Sequence, residues 1–150
     1  MKIDKRLIPV LEAIDFAGRY IALCRDHDDF TNRLTKYDKN FIEQLFETNG
    51  LPYNYLKGEK FFQVKELVGE FEVHFKVVPS NGFIQFLFSV IHGKERLQVA
   101  MGMWEVISRA LKGEVVKKPI FTSIEELEEI LQEAFSIYDD FKKGLLASQV

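Results

Sequence analysis

From Phe71 to Val77 the chain alternates: Phe71, Val73, Phe75 and Val77 are apolar, while Glu70, Glu72, His74 and Lys76 are polar. Successive side chains of a strand point to opposite faces, so this run predicts a strand with one face in a core and the other in water. Pro79-Ser80-Asn81-Gly82 is a turn sequence. Taken as a four-residue loop, it sets Val78 opposite Phe83, Val77 opposite Ile84, Phe75 opposite Phe86, Val73 opposite Phe88 and Phe71 opposite Val90. These partners share one face, and a slip of one residue would set phenylalanines against Glu and Lys. Gly93-Lys94 suits a type II′ turn, which wants Gly first. It places Val90 opposite Leu97, Phe88 opposite Val99 and Phe86 opposite Met101, on the same side again. Phe61 to Glu66 reads as one more strand, with Gly69 marking a bulge or tight turn before the next.

Helical spacing flanks this meander. Leu7, Val10, Leu11, Ile14, Ala17, Ile21 and Cys24 recur at three and four residues, which predicts one helix over Leu7 to Arg25 with Pro9 in its first turn. Gly18 inside it marks a close helix contact. Asp28 or Asp29 is expected to cap a short helix carrying Phe30, Arg33, Leu34 and Tyr37. Asp38 caps the next, with Phe41, Ile42, Leu45 and Phe46 inward and Asn49-Gly50 as its end. Leu51 to Lys60 reads as a loop holding Tyr53 and Tyr55. Met103 to Lys112 is helical, with Trp104, Ile107, Ala110 and Leu111 on one side and Gly113 as the stop. Val115 to Phe121 is a short extended piece. Ser123-Ile124-Glu125-Glu126 is a capping box that opens a last helix, in which Leu127, Ile130, Leu131, Ala134, Tyr138, Phe141 and Leu145 face inward and Gly144 is the stop. The pattern predicts an α+β fold: an antiparallel meander of about four strands, with the N- and C-terminal helices packed on its Phe-rich face. Residues 1–150 read as a single domain.

Composition narrows the function classes. A hydrophobic fraction of 47% with fourteen Phe excludes a disordered chain. A formal charge of −3 argues against a nucleic-acid partner, which needs a net basic surface. One Cys excludes an internal disulfide, and Cys24 falls on an apolar helix face, as a small core residue would. No run reaches the roughly 18 apolar residues of a membrane span, and no export signal is visible, so no membrane partner and a cytoplasmic location are expected.

Candidate chemistry is sparse. There is no phosphate loop, dinucleotide fingerprint, HExxH, CxxC or GxSxG, and no cofactor or metal is expected. Asp26-His27-Asp28-Asp29 lacks the spacing of a calcium loop and reads as capping. The four-residue loop places Glu70 opposite Ile91, Glu72 opposite Ser89, His74 opposite Leu87 and Lys76 opposite Gln85 on the outer face. Gln98 would meet Ser89, and Ala100 would meet Leu87. Phe83, Leu87 and Ile91 form an apolar stripe there, rimmed by Glu72 and His74, as partner surfaces are. Ser89, His74 and Glu72 also invite a Ser-His-acid reading. A mid-strand serine without oxyanion donors argues against it. On the last helix Glu125, Glu128, Glu129, Glu133, Asp139 and Asp140 form an acidic stripe suited to a basic partner. The Tyr53 and Tyr55 loop is a weaker interface candidate.

These features point to a non-catalytic protein-binding module, of the inhibitor, immunity or chaperone type. Its candidate partner-binding residues are Glu72, His74, Phe83, Leu87, Ile91, Glu125, Glu129 and Glu133. The alternative is a small hydrolase or small-ligand-binding protein with a site near His74. A homodimer hiding the Phe83, Leu87 and Ile91 stripe is a third arrangement the pattern admits.

Overall fold

The computed structural model describes residues 2–149. Five strands form one antiparallel sheet in chain order: β1 (Tyr53–Leu56), β2 (Phe61–Val68), β3 (Phe71–Ser80), β4 (Phe83–His92) and β5 (Glu95–Leu97). Among the described residues five helices accompany them: α1 (Ile8–Ala13), α2 (Phe16–Asp26), α3 (Lys39–Thr48), α4 (Trp104–Lys112) and α5 (Ile124–Ala147). The fold is α+β. None of the described helices is long and apolar enough to cross a membrane.

The strand alternation places its rings as expected. Val73, Phe75, Val77, Ile84, Phe86 and Val90 are fully buried on one face. The ring contacts between helices and sheet fall on that face. Phe75 stacks on Tyr138 of α5 at 4.6 Å, Phe88 on Phe141 at 4.5 Å and Phe62 on Phe46 of α3 at 5.3 Å. On the opposite face Lys65 and Leu67 are exposed, and Glu72, His74, Lys76, Leu87, Ser89 and Ile91 are half-buried by their neighbours.

The register of the central hairpin differs from the expected one by two residues. Ser80 pairs with Phe83, Val77 with Phe86, Phe75 with Phe88 and Phe71 with His92. The turn is Asn81-Gly82 alone, with φ of 53° and 87°. That is the two-residue type I′ geometry, which matches the twist of paired strands. On the outer face Glu72 therefore pairs with Ile91, His74 with Ser89, Lys76 with Leu87 and Val78 with Gln85. The segment over Tyr53 and Tyr55 is strand β1 rather than a loop. Tyr53 donates its hydroxyl to Glu47 (3.0 Å), and Tyr55 packs on Phe62 (4.8 Å).

The helices depart from expectation at several points. The N-terminal helix breaks at Asp15, which adopts φ 52° and ψ 47°, a left-handed conformation Asp tolerates. Gly18 faces that residue's own carboxylate, since a Cβ there would lie 2.5 Å from Asp15 Oδ2. The close helix contact is instead at Gly144, where a Cβ would lie 2.8 Å from Val10 Cγ1 of α1. Gly144 thus lies inside α5 and does not stop it. No helix forms over Phe30 to Tyr37: Leu34 N–H donates to Phe121 O (2.9 Å), and Tyr37 packs edge-on to Phe121 (5.3 Å). Ala110 of α4 is exposed, while Ser108 is buried. The Val115 to Phe121 piece meets the sheet near its end: Ile120 bridges Phe83, Pro119 O accepts from Ile84 N–H (3.1 Å), and Phe121 N–H donates to Gly82 O (3.0 Å).

The start of α5 holds these pieces together. Ser123 Oγ accepts from Glu126 N–H (3.1 Å), as a cap should. Glu126 reaches past Ser123 to accept from Thr122 N–H (2.6 Å) and from the His27 ring at Nδ1 (2.6 Å). Burial pushes the Glu126 carboxyl up, but the hydrogen bonds from His27 and Thr122 outweigh it and hold it below its ordinary value. A carboxylate depressed in the folded state stabilises it above the unfolded pKa, and loses that effect as pH falls through the folded value. Glu126→Gln is expected to lose about 1–2 kcal/mol at neutral pH, with the gap to wild type closing below about pH 4. Urea unfolding at several pH values measures this.

Candidate functional site

The outer face changes character where β5 leaves the sheet. Val90 pairs with Leu97, but three residues back along β4, Leu87 meets Met103, six residues further on. Three surplus residues are looped out between these points. The expected pairs of Phe88 with Val99, Phe86 with Met101, Ser89 with Gln98 and Leu87 with Ala100 do not form. The N-terminal segment pairs with the loop in their place. Asp4 N–H donates to Gln98 O (2.6 Å), Ile3 bridges Val99, and Ala100 N–H donates to Lys2 O (2.8 Å). The chain then returns: Gly102 N–H donates to Val99 O (2.8 Å), and Phe88 N–H donates to Gly102 O (2.8 Å).

Three consecutive residues with positive φ make this return, Ala100 at 49°, Met101 at 66° and Gly102 at 85°. A left-handed conformation costs an ordinary L-residue about 1–2 kcal/mol. Such strain persists only where surrounding contacts enforce it, and it concentrates at binding and catalytic sites. Met101 gains no core packing in exchange, being 72% exposed.

The loop and β4 enclose a cleft of about 470 Å³, lined by Leu87 and Ser89 of β4, His74 and Lys76 of β3, Arg96 of β5, Lys2 and Met101. Volumes of this order suit a small ligand or the side chains of a docked segment. Among the described residues no acidic one lines it. The carboxylates nearby in sequence are engaged by other partners. Glu72 accepts from His74 Nε2 (2.7 Å), Glu95 from Arg6 (3.0 Å), Glu70 from His92 (3.3 Å) and Asp4 from Arg6 (2.9 Å). The hydrogen bonds of Arg6 hold the Asp4 carboxyl down to about 2. Among the described residues Lys2, Lys76 and Arg96 form no ion pair with a carboxylate.

The catalytic arrangement is incomplete. His74 and Glu72 are joined, and Ser89 pairs across the strands with His74. Ser89 Oγ, however, accepts from Arg96 Nη1 at 2.6 Å, and among the described residues the His74 ring bonds Glu72 and not Ser89. An acyl-transfer nucleophile needs its base within hydrogen-bond reach, and this serine is held by a guanidinium. Cys24 is buried in the core, where burial pushes its thiol up to about 12, far from a reactive thiolate. No group of His, Cys, Asp or Glu among the described residues is arranged to hold a metal ion.

The other expected site residues are dispersed. Phe83 lies at the far end of β4 under Phe30 (5.9 Å), with the Arg33 guanidinium 5.7 Å from its ring, so it does not continue a free stripe. Ile91 is half-buried beside its strand partners Glu72 and Arg96. Glu125, Glu128 and Glu129 are exposed on α5. Glu133 and Asp140 belong to a local network, both bound by Arg19 of α2 at 3.0 and 2.8 Å. The acidic stripe is thus partly neutralised from within.

Lys2, Arg96 and Met101 were not singled out by pattern. The parity that puts His74 outside also puts Lys76 and Arg96 outside, so two of the cations could have been found that way. Lys2 arrives from the other end of the chain through backbone pairing that no local spacing reveals. No family model matches the chain, no curated protein matches it in sequence, and no solved structure matches it.

Proposed function

We propose that this is a non-catalytic, cytoplasmic binding protein whose outer sheet face, centred on Leu87, receives a protein partner. One observation carries the reading: an apolar centre with cations that, among the described residues, lack carboxylate partners lies on the sheet face opposite the one on which α3 and α5 stack their rings. An apolar centre within a polar rim is the usual composition of a partner surface. The Arg19 network weakens the case for the acidic face of α5, and the Ser89–Arg96 contact weakens the case for catalysis.

Photo-crosslinkers placed singly at Leu87, Met101 and Glu129 in native-host extracts test it. Crosslinks are expected from the first two. Leu87 is half-buried on the outer face, so Leu87→Asp is expected to keep the fold, read by circular dichroism. It should weaken partner binding by roughly tenfold or more, as loss of a central interface residue does. Crosslinks from Glu129 alone, with Leu87→Asp binding normally, would overturn the proposal.

A further inference from the structure

The composition of the cleft narrows what it holds, and we infer that it binds an acidic segment of a protein partner, carboxylates on the cations and an apolar side chain against Leu87 and Met101. This rests on the outer face being the binding surface. A chain with a formal charge of −3 gathers Lys2, Lys76 and Arg96 around a cleft that, among the described residues, has no acidic lining. The carboxylates that could have neutralised them are turned onto Arg6, His74 and His92. A field of one sign focused in a concave site draws the opposite charge.

The donors suit a carboxylate. Arg96 uses Nη1 on Ser89 Oγ (2.6 Å). In accepting that bond the serine keeps its own hydroxyl proton available to donate, and the guanidinium keeps further N–H groups for a two-point contact. The apolar wall argues for a segment over a free anion. An inorganic ion on exposed cations gains little against salt screening. Leu87 and the 72% exposed Met101 offer area that only a ligand with an apolar part can cover.

The test is a titration of the whole ¹⁵N-labelled protein, followed by amide shifts, with an alternating Asp-Leu peptide, its Asn-Leu counterpart and inorganic phosphate. The Asp-Leu peptide is expected to shift Ser89, Arg96 and Met101. The double variant Lys76→Glu, Arg96→Glu should weaken it by roughly tenfold. The amide spectrum reports the fold of that variant in the same experiment. The inference is overturned if the Asp-Leu peptide leaves those amides unmoved, if the Asn-Leu peptide binds as well, or if phosphate alone matches the peptide, which would make the ligand a small anion. Failure of the peptide while Leu87→Asp still releases the crosslinked partner removes the acidic segment and keeps the surface. Crosslinking unaffected by Leu87→Asp removes the surface itself.

Discussion

Replacing Trp104 by Ala is expected to cost about 3–5 kcal/mol of stability, the range for emptying a large aromatic site in a packed core. Trp104 has no exposed surface, and it joins three parts of the molecule. Its ring lies 5.1 Å from Phe16 and 5.6 Å from Tyr20 of α2, and 4.9 Å from both Phe86 and Phe88 of β4. Phe75 of β3 stacks on it at 5.6 Å. Five rings converge on one side chain, so the void left by Ala cannot be filled by a small shift of any one of them. Trp104→Phe is expected to cost less than the Ala variant, because it keeps one ring in the cluster and leaves a smaller void. The indole N–H has no hydrogen-bond partner among the described residues, so no bond is forfeited. Guanidinium unfolding followed by circular dichroism measures both variants, since the substitution removes the chain's single Trp. A loss below about 1.5 kcal/mol for the Ala variant would mean that α4 is not integral to the core.

Which residues face inward was legible because it depends on parity alone. Phe75 and Phe88 share a face in any register that differs by two, and for the same reason the pattern could not separate the true register from its neighbour. The turn type decided it. Asn81-Gly82 closes the hairpin by itself and leaves Pro79 and Ser80 in β3. Pro79 is tolerated because it falls beyond the last residue of β3 that β2 pairs with, and its partner Ile84 sends its N–H the other way, to Pro119 O. The Phe30 to Tyr37 helix failed for a non-local reason, since Leu34 and Tyr37 are engaged by Phe121, far along the chain. Gly144 resembles a stop signal, yet its lack of a side chain serves the close approach of α1. The loop after β5 was least legible. Val99 and Met101 keep the strand alternation past Leu97, so their spacing continued the strand on paper, while the N-terminal segment took over the pairing. The outer-face location of His74 and Leu87 was readable, but the cleft beside them was not, because it consists of the residues that do not pair.

That dependence makes Gly102 the position where one methyl should damage both fold and site. Gly102→Ala is expected to cost about 2–4 kcal/mol. Part is conformational: φ of 85° is hostile to any side chain. The larger part is steric, because an added Cβ would lie 2.6 Å from Phe88 O, a backbone atom fixed in the middle of β4. Relief requires the loop to retreat, which breaks the 2.8 Å bond from Phe88 N–H to Gly102 O and opens the cleft wall. Partner binding should therefore fall even under conditions where the variant remains folded. Met101→Gly separates the two effects. It relieves a residue held at φ 66° and removes a side chain that is 72% exposed, so stability should hold or rise by up to about 1 kcal/mol. If Met101 is there for a ligand, the same substitution should weaken binding, since a strained and exposed apolar residue stabilises nothing in the free molecule. Thermal melts and crosslinking yields on this pair decide the matter: Gly102→Ala lowering both, Met101→Gly lowering only the second. Equal stability of Gly102→Ala and wild type would show that the loop does not return against β4, and the cleft would lose its wall.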